Sequence, residues 1–212
     1  LYAEGSYAEA ASHAAEQLDL GRTALGNEHP DTLTAMSNLA LTLHAQGDLA
    51  GALELEKSAL ATRRRVLGDE HPDTLKSMNN LAGFLRDQGD LEGALGLQNT
   101  ALTTQRRVLG EEHPDALTSM NNLASTLKAQ GDIAGTLELE KSVLATRHRV
   151  QGEEHPETLT SMSNLALALQ VQGDLAGALE LKKLALVTQR RVLGEEHPDT
   201  LESMGNLALN LQ

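Results

Sequence analysis

From Pro30 onward the apolar residues Leu33, Met36, Leu39, Ala40 and Leu43 recur at a period that places them on one face of an α-helix. Gln46-Gly47-Asp48 interrupts the pattern. Glycine tolerates the left-handed conformation that closes a helix, and aspartate is a strong N-cap for the next one. A second helix is predicted over 49–67, where Leu49, Ala52, Leu53, Leu55, Ala59, Leu60, Val66 and Leu67 make a wide apolar face. Such width suits a helix packed both against its own partner and against the next unit. Gly68 ends it, and the acidic loop Asp69-Glu70-His71 leads to another proline.

The same two-helix text then returns. His-Pro pairs stand at 29–30, 71–72, 113–114, 155–156 and 197–198, a spacing of 42 each time. Full copies span 30–71, 72–113, 114–155 and 156–197. Residues 1–29 read as a lone second helix, with Gly5 in the place of Gly47, and 198–212 as a lone first helix. A repeat of this length makes a quasi-linear body in which each unit touches only its neighbours. The predicted fold is all-α, one solenoid domain of antiparallel helix pairs. Neither end falls on a repeat boundary, so a fragment of a longer array is expected.

Twenty of the 42 positions are identical in all four copies, and most have a packing or capping reason. Proline suits the first helical position, and the acid after it faces the positive helix end. Two shared positions lack such a reason. Gly51 sits inside a helix, where glycine costs about 1 kcal/mol against alanine. Asn38 lies roughly 160° from the centre of the apolar face at 100° per residue, on the side of Thr34, Leu41 and Ala45. It points out of the core.

Composition narrows the function. The chain of 212 residues has a formal charge of −13, whereas nucleic-acid affinity comes mainly from Lys and Arg on phosphates. Tyr2, Tyr7 and Phe84 are the only aromatics, too few for base stacking. With no cysteine there is no disulfide, thiol nucleophile or Cys-based zinc site. That fits a reducing compartment such as the cytoplasm. No apolar run approaches a membrane span, and no Gly-rich phosphate loop, HExxH or G-x-S-x-G appears. An enzyme is not expected, nor a cofactor or metal. The loop histidines each precede a helical proline, a capping place, and repeats stack about 10 Å apart, too far to share an ion. The runs Arg63–Arg65, Arg106–Arg107 and Arg190–Arg191 lie beside acidic loops and read as local ion pairs.

Asn38-Leu39-Ala40, then Leu43, Gly47, Leu49, Ala52 and Ala59, follow the tetratricopeptide pattern. The extra residues over its ~34-residue unit fall in a longer second helix and its loop. With RRVLGEEHPDTL and SMNNLA, the chain resembles the repeats of kinesin light chains and of bacterial multidomain signalling and defence ATPases. The resemblance implies a right-handed α-solenoid, the TPR superhelix, with first helices lining the concave surface. It also implies that asparagine at this place contacts the main chain of a bound peptide. The chain departs from the family where Glu56, Gln98, Glu140 and Lys182 replace a frequent aromatic, so a core of Leu and Ala is expected.

The candidate site is therefore a ladder of Asn38, Asn80, Asn122, Asn164 and Asn206. A carboxamide both donates and accepts, so it can pair with a peptide backbone whatever the side chains are. Thr34, Thr118 and Thr160 accompany it, and Lys76, Asn79, Arg86, Asn121, Ser125 and Lys128 vary enough to supply selectivity. Leu41, Ala45, Leu167 and Val171 make the groove apolar at its ends, and Lys76, Arg86 and Lys128 against Asp87 make its middle mildly basic. An extended peptide with a Leu-type anchor and an acidic residue would suit it. The competing reading of the asparagines is a bond to the adjacent helix that fixes superhelical pitch. The first function reading is a protein- or peptide-binding scaffold. The second is a spacer that associates weakly head to tail through its bare end helices. The third is a sensor arm regulating an attached ATPase or protease domain.

Overall fold

The computed structural model describes the backbone of residues 2–209 and the side chains of 9–198, 200, 201, 203–205 and 207. Among them ten helices follow in order and no strand occurs. They are α1 (Tyr2–Leu25), α2 (Pro30–Ala45), α3 (Leu49–Leu67), α4 (Pro72–Gln88), α5 (Leu91–Leu109), α6 (Pro114–Gln130), α7 (Ile133–Gln151), α8 (Pro156–Gln172), α9 (Leu175–Leu193) and α10 (Pro198–Leu209). The chain forms two compact units, divided between Gly110 and Glu111. In the first, α1 to α5 pack in sequence; in the second, α6 to α10 do the same. Three second helices are each held between two first helices: α3 touches α2 and α4, α7 touches α6 and α8, and α9 touches α8 and α10.

The local signals explain these boundaries. Each first helix begins with proline at N1, and the preceding histidine is its cap: Nδ1 of His29, His71, His113 and His155 accepts the backbone N–H two residues on, at 3.2 Å. The turn glycine Gly89 has φ 94°, the left-handed value. Gly68 sits at φ 91°, ψ 165°, a region open essentially to glycine alone.

Gly51 acquires a reason. The Asp48 cap folds back so that Oδ1 accepts the Gly51 N–H at 2.9 Å. A Cβ on Gly51 would stand 2.5 Å from Asp48 Oδ2 and 3.2 Å from Leu43 Cδ1. The same cap recurs at Asp90–Gly93, Asp132–Gly135 and Asp174–Gly177.

Two expectations are corrected. The helix is unbroken through Gly5, since α1 starts at Tyr2; a glycine inside a helix costs only about 1 kcal/mol against alanine and need not break it. Val66 leaves the buried face and is exposed, as are Val108, Val150 and Val192. The second helix α3 has 19 residues against 16 in α2, so its last turn outruns its partner. The arginine runs also reach further than expected. Arg64 pairs with the following loop at Asp69, 3.0 Å away. Arg65 instead binds Glu28 at 2.6 Å, and Arg107–Glu70, Arg149–Glu112 and Arg191–Glu154 repeat that tie to the loop before the repeat.

The cap geometry makes Gly51 and Asp48 interdependent. Gly51→Ala should lower stability in the wild-type background, because the cap must move. In an Asp48→Ala background it should raise stability by about 1 kcal/mol, the ordinary helix gain of alanine over glycine. Urea unfolding of the four proteins checks the change of sign.

Candidate functional site

The face of α2 away from the core carries Thr34, Asn38, Leu41 and Ala45, all exposed, as the helical phase predicts. Leu41 is 44% exposed, and on the matching face of α8 Leu167 and Val171 are 46% and 57% exposed. Exposed apolar side chains thus share a strip with the amides. Thr118 and Thr160 are exposed, and Asn80, Asn122 and Asn164 are half-buried. The side chain of Asn206 lies outside the described residues. Thr34 and Thr160 spend their hydroxyls on their own helices, donating to the carbonyls of Pro30 at 2.9 Å and Pro156 at 3.0 Å.

Among the cations, Lys76 and Lys128 are exposed. Arg86 is neutralised locally: its guanidinium donates to Asp87 at 2.9 Å, and Asp87 also meets His44 Nε2 at 2.8 Å. Asn79 and Asn121 are half-buried, with Oδ1 of Asn121 enclosed and without a partner. Ser125 is half-buried beside Lys128 on α6.

Beneath this strip lies a feature that pattern reading left out. The core is mostly Leu and Ala, as expected, but three of the four second-helix positions where the family often has an aromatic hold buried polar groups. Glu56 and Gln98 are 0% exposed and Glu140 is 4% exposed. Two turns further on stand Arg63, Gln105 and Arg147, also buried. In the first unit Ser37 donates to Glu56 Oε1 at 3.2 Å. Arg63 Nη1 donates to Ser37 at 2.7 Å and to Ser77, and lies 3.9 Å from Glu56. Burial raises the Glu56 pKa above the usual carboxylate value, against the opposing pull of Ser77, Ser37, Arg63 and the amide of Asn80. Asn80, a member of the ladder, therefore also touches the floor.

The second unit handles its acid differently. Arg147 turns to Ser161 at 2.8 Å and to Glu157, whose Oε2 is 2.7 Å away. Glu140 keeps an enclosed Oε2 without a hydrogen-bond partner. Burial pushes its pKa up to about 7, although Lys128 and Arg147 attract the charged form. It lines a cavity of about 30 Å3 with Ser125 and Lys128 of α6 and Asn164 and Leu167 of α8. The structure thus gathers Ser125, Lys128 and Asn164 around one buried acid.

The Tetratricopeptide repeat family matches residues 32–73 and 158–199, and another form of the same repeat matches 73–146. A Podosopora anserina structure, described by kinesin-light-chain, nearly identical TPR-like repeats, is 30% identical over 88% of this chain and 89% of that one, with a TM-score of 0.71. The chain belongs to the tetratricopeptide repeat family. Its repeats are of the kinesin-light-chain-like type. BtubC (BKLC) from P. vanneervenii shares the fold at 22% identity, covering 96% of this chain and 82% of that one with a TM-score of 0.78. So does Bacillus thuringiensis PlcR, solved with the peptide PapR7 and DNA, at 14% identity, 100% and 70% coverage and a TM-score of 0.72. No curated protein sequence matches the chain.

Within this tetratricopeptide array the buried residues covary from copy to copy: Glu56 goes with Arg63, Gln98 with Gln105, Glu140 with Arg147 and Lys182 with Gln189. An acid always has a guanidinium two turns on, and a neutral amide has a neutral amide. Lys182, half-buried, is served by Gln170 Oε1 at 2.7 Å. This alternation was the available sequence signal for the floor. Among the described residues no three His, Asp or Glu side chains gather as a metal site. No described helix is long and apolar enough to cross a membrane.

The covariation gives a test. Removing one partner of a buried pair leaves an uncompensated charge and costs about 3 kcal/mol, so Arg63→Gln should lower unfolding free energy by about that much. Adding Glu56→Gln, which copies the Gln98/Gln105 pair, should restore most of it. Urea unfolding of the single and double variants measures the recovery.

Proposed function

We propose that this array is a protein-interaction scaffold that binds an extended peptide segment along the exposed faces of its first helices. The observation that carries the reading is the composition of those faces. Carboxamides at the shared position stand beside exposed Leu41, Leu167 and Val171. A surface that mixes exposed aliphatic side chains with donor–acceptor amides supplies both halves of peptide recognition, anchoring by apolar contact and pairing with the main chain. The amide needs no particular ligand side chain, which suits a position kept identical while Lys76, Arg86, Ser125 and Lys128 change from copy to copy. The family is generally one of protein-interaction modules, and the similar PlcR fold was solved holding a peptide. Binding rather than catalysis is the work we assign to the segment, and the cysteine-free composition fits a reducing compartment such as the cytoplasm.

The Asn80 contact with Glu56 gives the structural role of the ladder a share in the first unit. A binding test should therefore use asparagines without that tie. Peptide display on the immobilised array should enrich a converging set of sequences. An Asn38→Ala/Asn122→Ala variant of equal stability should lose most of that set. Retention of the same peptides by the variant would contradict the assignment.

A further inference from the structure

The cavity beside Glu140 in the second unit is small and mostly polar. Its walls are Ala124, Leu167 and Ala168; its polar atoms come from Ser125, Lys128, Thr136, Glu140 and Asn164. Thr136 is already engaged, its hydroxyl 2.7 Å from the carbonyl of Asp132 and 3.3 Å from that of Ala124. Arg147 is occupied by Ser161 and Glu157. That leaves Oε2 of Glu140, 4% exposed as a residue, as an enclosed acceptor with no donor. An enclosed unpaired acceptor costs roughly 1–3 kcal/mol. Glu56, the equivalent acid two copies earlier, also has an enclosed Oε2 without a partner, but its Oε1 accepts from the Ser37 hydroxyl; Glu140 lacks the equivalent serine because Asn121 stands there.

We propose that this cavity is a subsite for a primary ammonium group, the tip of a lysine side chain in the bound segment, which donates to Glu140. The inference rests on the groove reading and names what one place in the groove selects. Three features fit. A space of about 30 Å3 admits one water-sized group, which an ammonium is and a planar guanidinium is not. The walls are aliphatic, and a lysine lays its methylene stem along such surface while its charged end reaches a partner. The chain carries a formal charge of −13, which steers basic segments toward it. The groups facing Glu140 are Lys128 from α6 and Arg147 from its own helix, with Asn164 on the α8 side. Lys128 attracts the carboxylate without bonding it and is exposed at the rim, so an incoming ammonium takes the place it leaves open. This subsite asks for a basic residue where the cation count alone suggested an acidic one.

The test uses n-butylammonium chloride as the probe and 1-butanol as its neutral counterpart. Binding is followed by NMR through the Glu140 side-chain carboxyl and the amides of Thr136 and Asn164. Saturable shifts are expected with n-butylammonium and not with 1-butanol, together with a lowered Glu140 pKa. Glu140→Gln should abolish them, and Lys128→Met should tighten binding several-fold by removing a like charge. Peptides enriched by display should carry lysine at one register, a preference that Glu140→Gln removes. Ammonium binding without any enriched peptide would uphold the subsite while the groove reading failed. Enriched peptides without a lysine preference, together with no saturable ammonium shift, would overturn the subsite and leave the groove standing. Equal shifts from 1-butanol, or weaker binding by Lys128→Met, would also overturn it.

Discussion

Within each unit the rest of the structure follows from the burial of second helices, α3, α7 and α9, between two first helices. A helix enclosed on two sides has interior positions that no solvent reaches, and those positions must be filled. Where Ala52, Leu53, Ala59 and Leu60 fill them, they supply the apolar burial that holds neighbouring repeats together. Where Glu56, Gln98 and Glu140 fill them, each polar atom needs a donor or acceptor from the same enclosed space. The buried serines and arginines answer that need, and the copies differ in how completely they do so.

The difference connects fold to function. In the first unit Ser37 and Arg63 gather at one oxygen of Glu56, and its Oε2 stays enclosed without a partner. In the second unit Arg147 is drawn to Glu157 and Ser161; Glu140 has an enclosed Oε2 without a partner, and the residue lines a cavity with Asn164 and Lys128. The same helical position thus meets a serine hydroxyl in one copy and lines a cavity in another. A carboxyl held in apolar surroundings destabilises the fold when ionised.

Most of the architecture was legible because periodicity and punctuation agreed. Pro30 to Leu43 and Leu49 to Leu67 announce their helices, and His71, Gly68 and Asp48 announce their ends. The outward direction of Asn38 followed from helical phase alone. Gly51 was opaque because its reason is a side chain folding back from Asp48, which no propensity encodes. The floor was opaque because a charged residue inside a helix reads as solvated until its neighbours are known. Glu56 and Glu140 look like surface acids in one copy; set beside Arg63, Arg147 and the Gln98/Gln105 pair, they look like buried partners. The partner of Arg65 was equally hidden, since Glu28 lies 37 residues away in sequence.

The central claim, that Glu140 is a buried acid kept at the expense of the fold, is tested most directly by urea unfolding of the wild type and Glu140→Gln across pH 4 to 8. Between the ordinary value of 4.5 and about 7, the folded protein holds a proton that the unfolded chain has released. Wild-type stability then falls as pH rises through that window. Glu56 is present in both proteins and cancels in the difference. The account predicts that the advantage of Glu140→Gln grows from about pH 4.5 to pH 7 and then levels off. A difference that stays constant with pH, or that shrinks as pH rises, would contradict it.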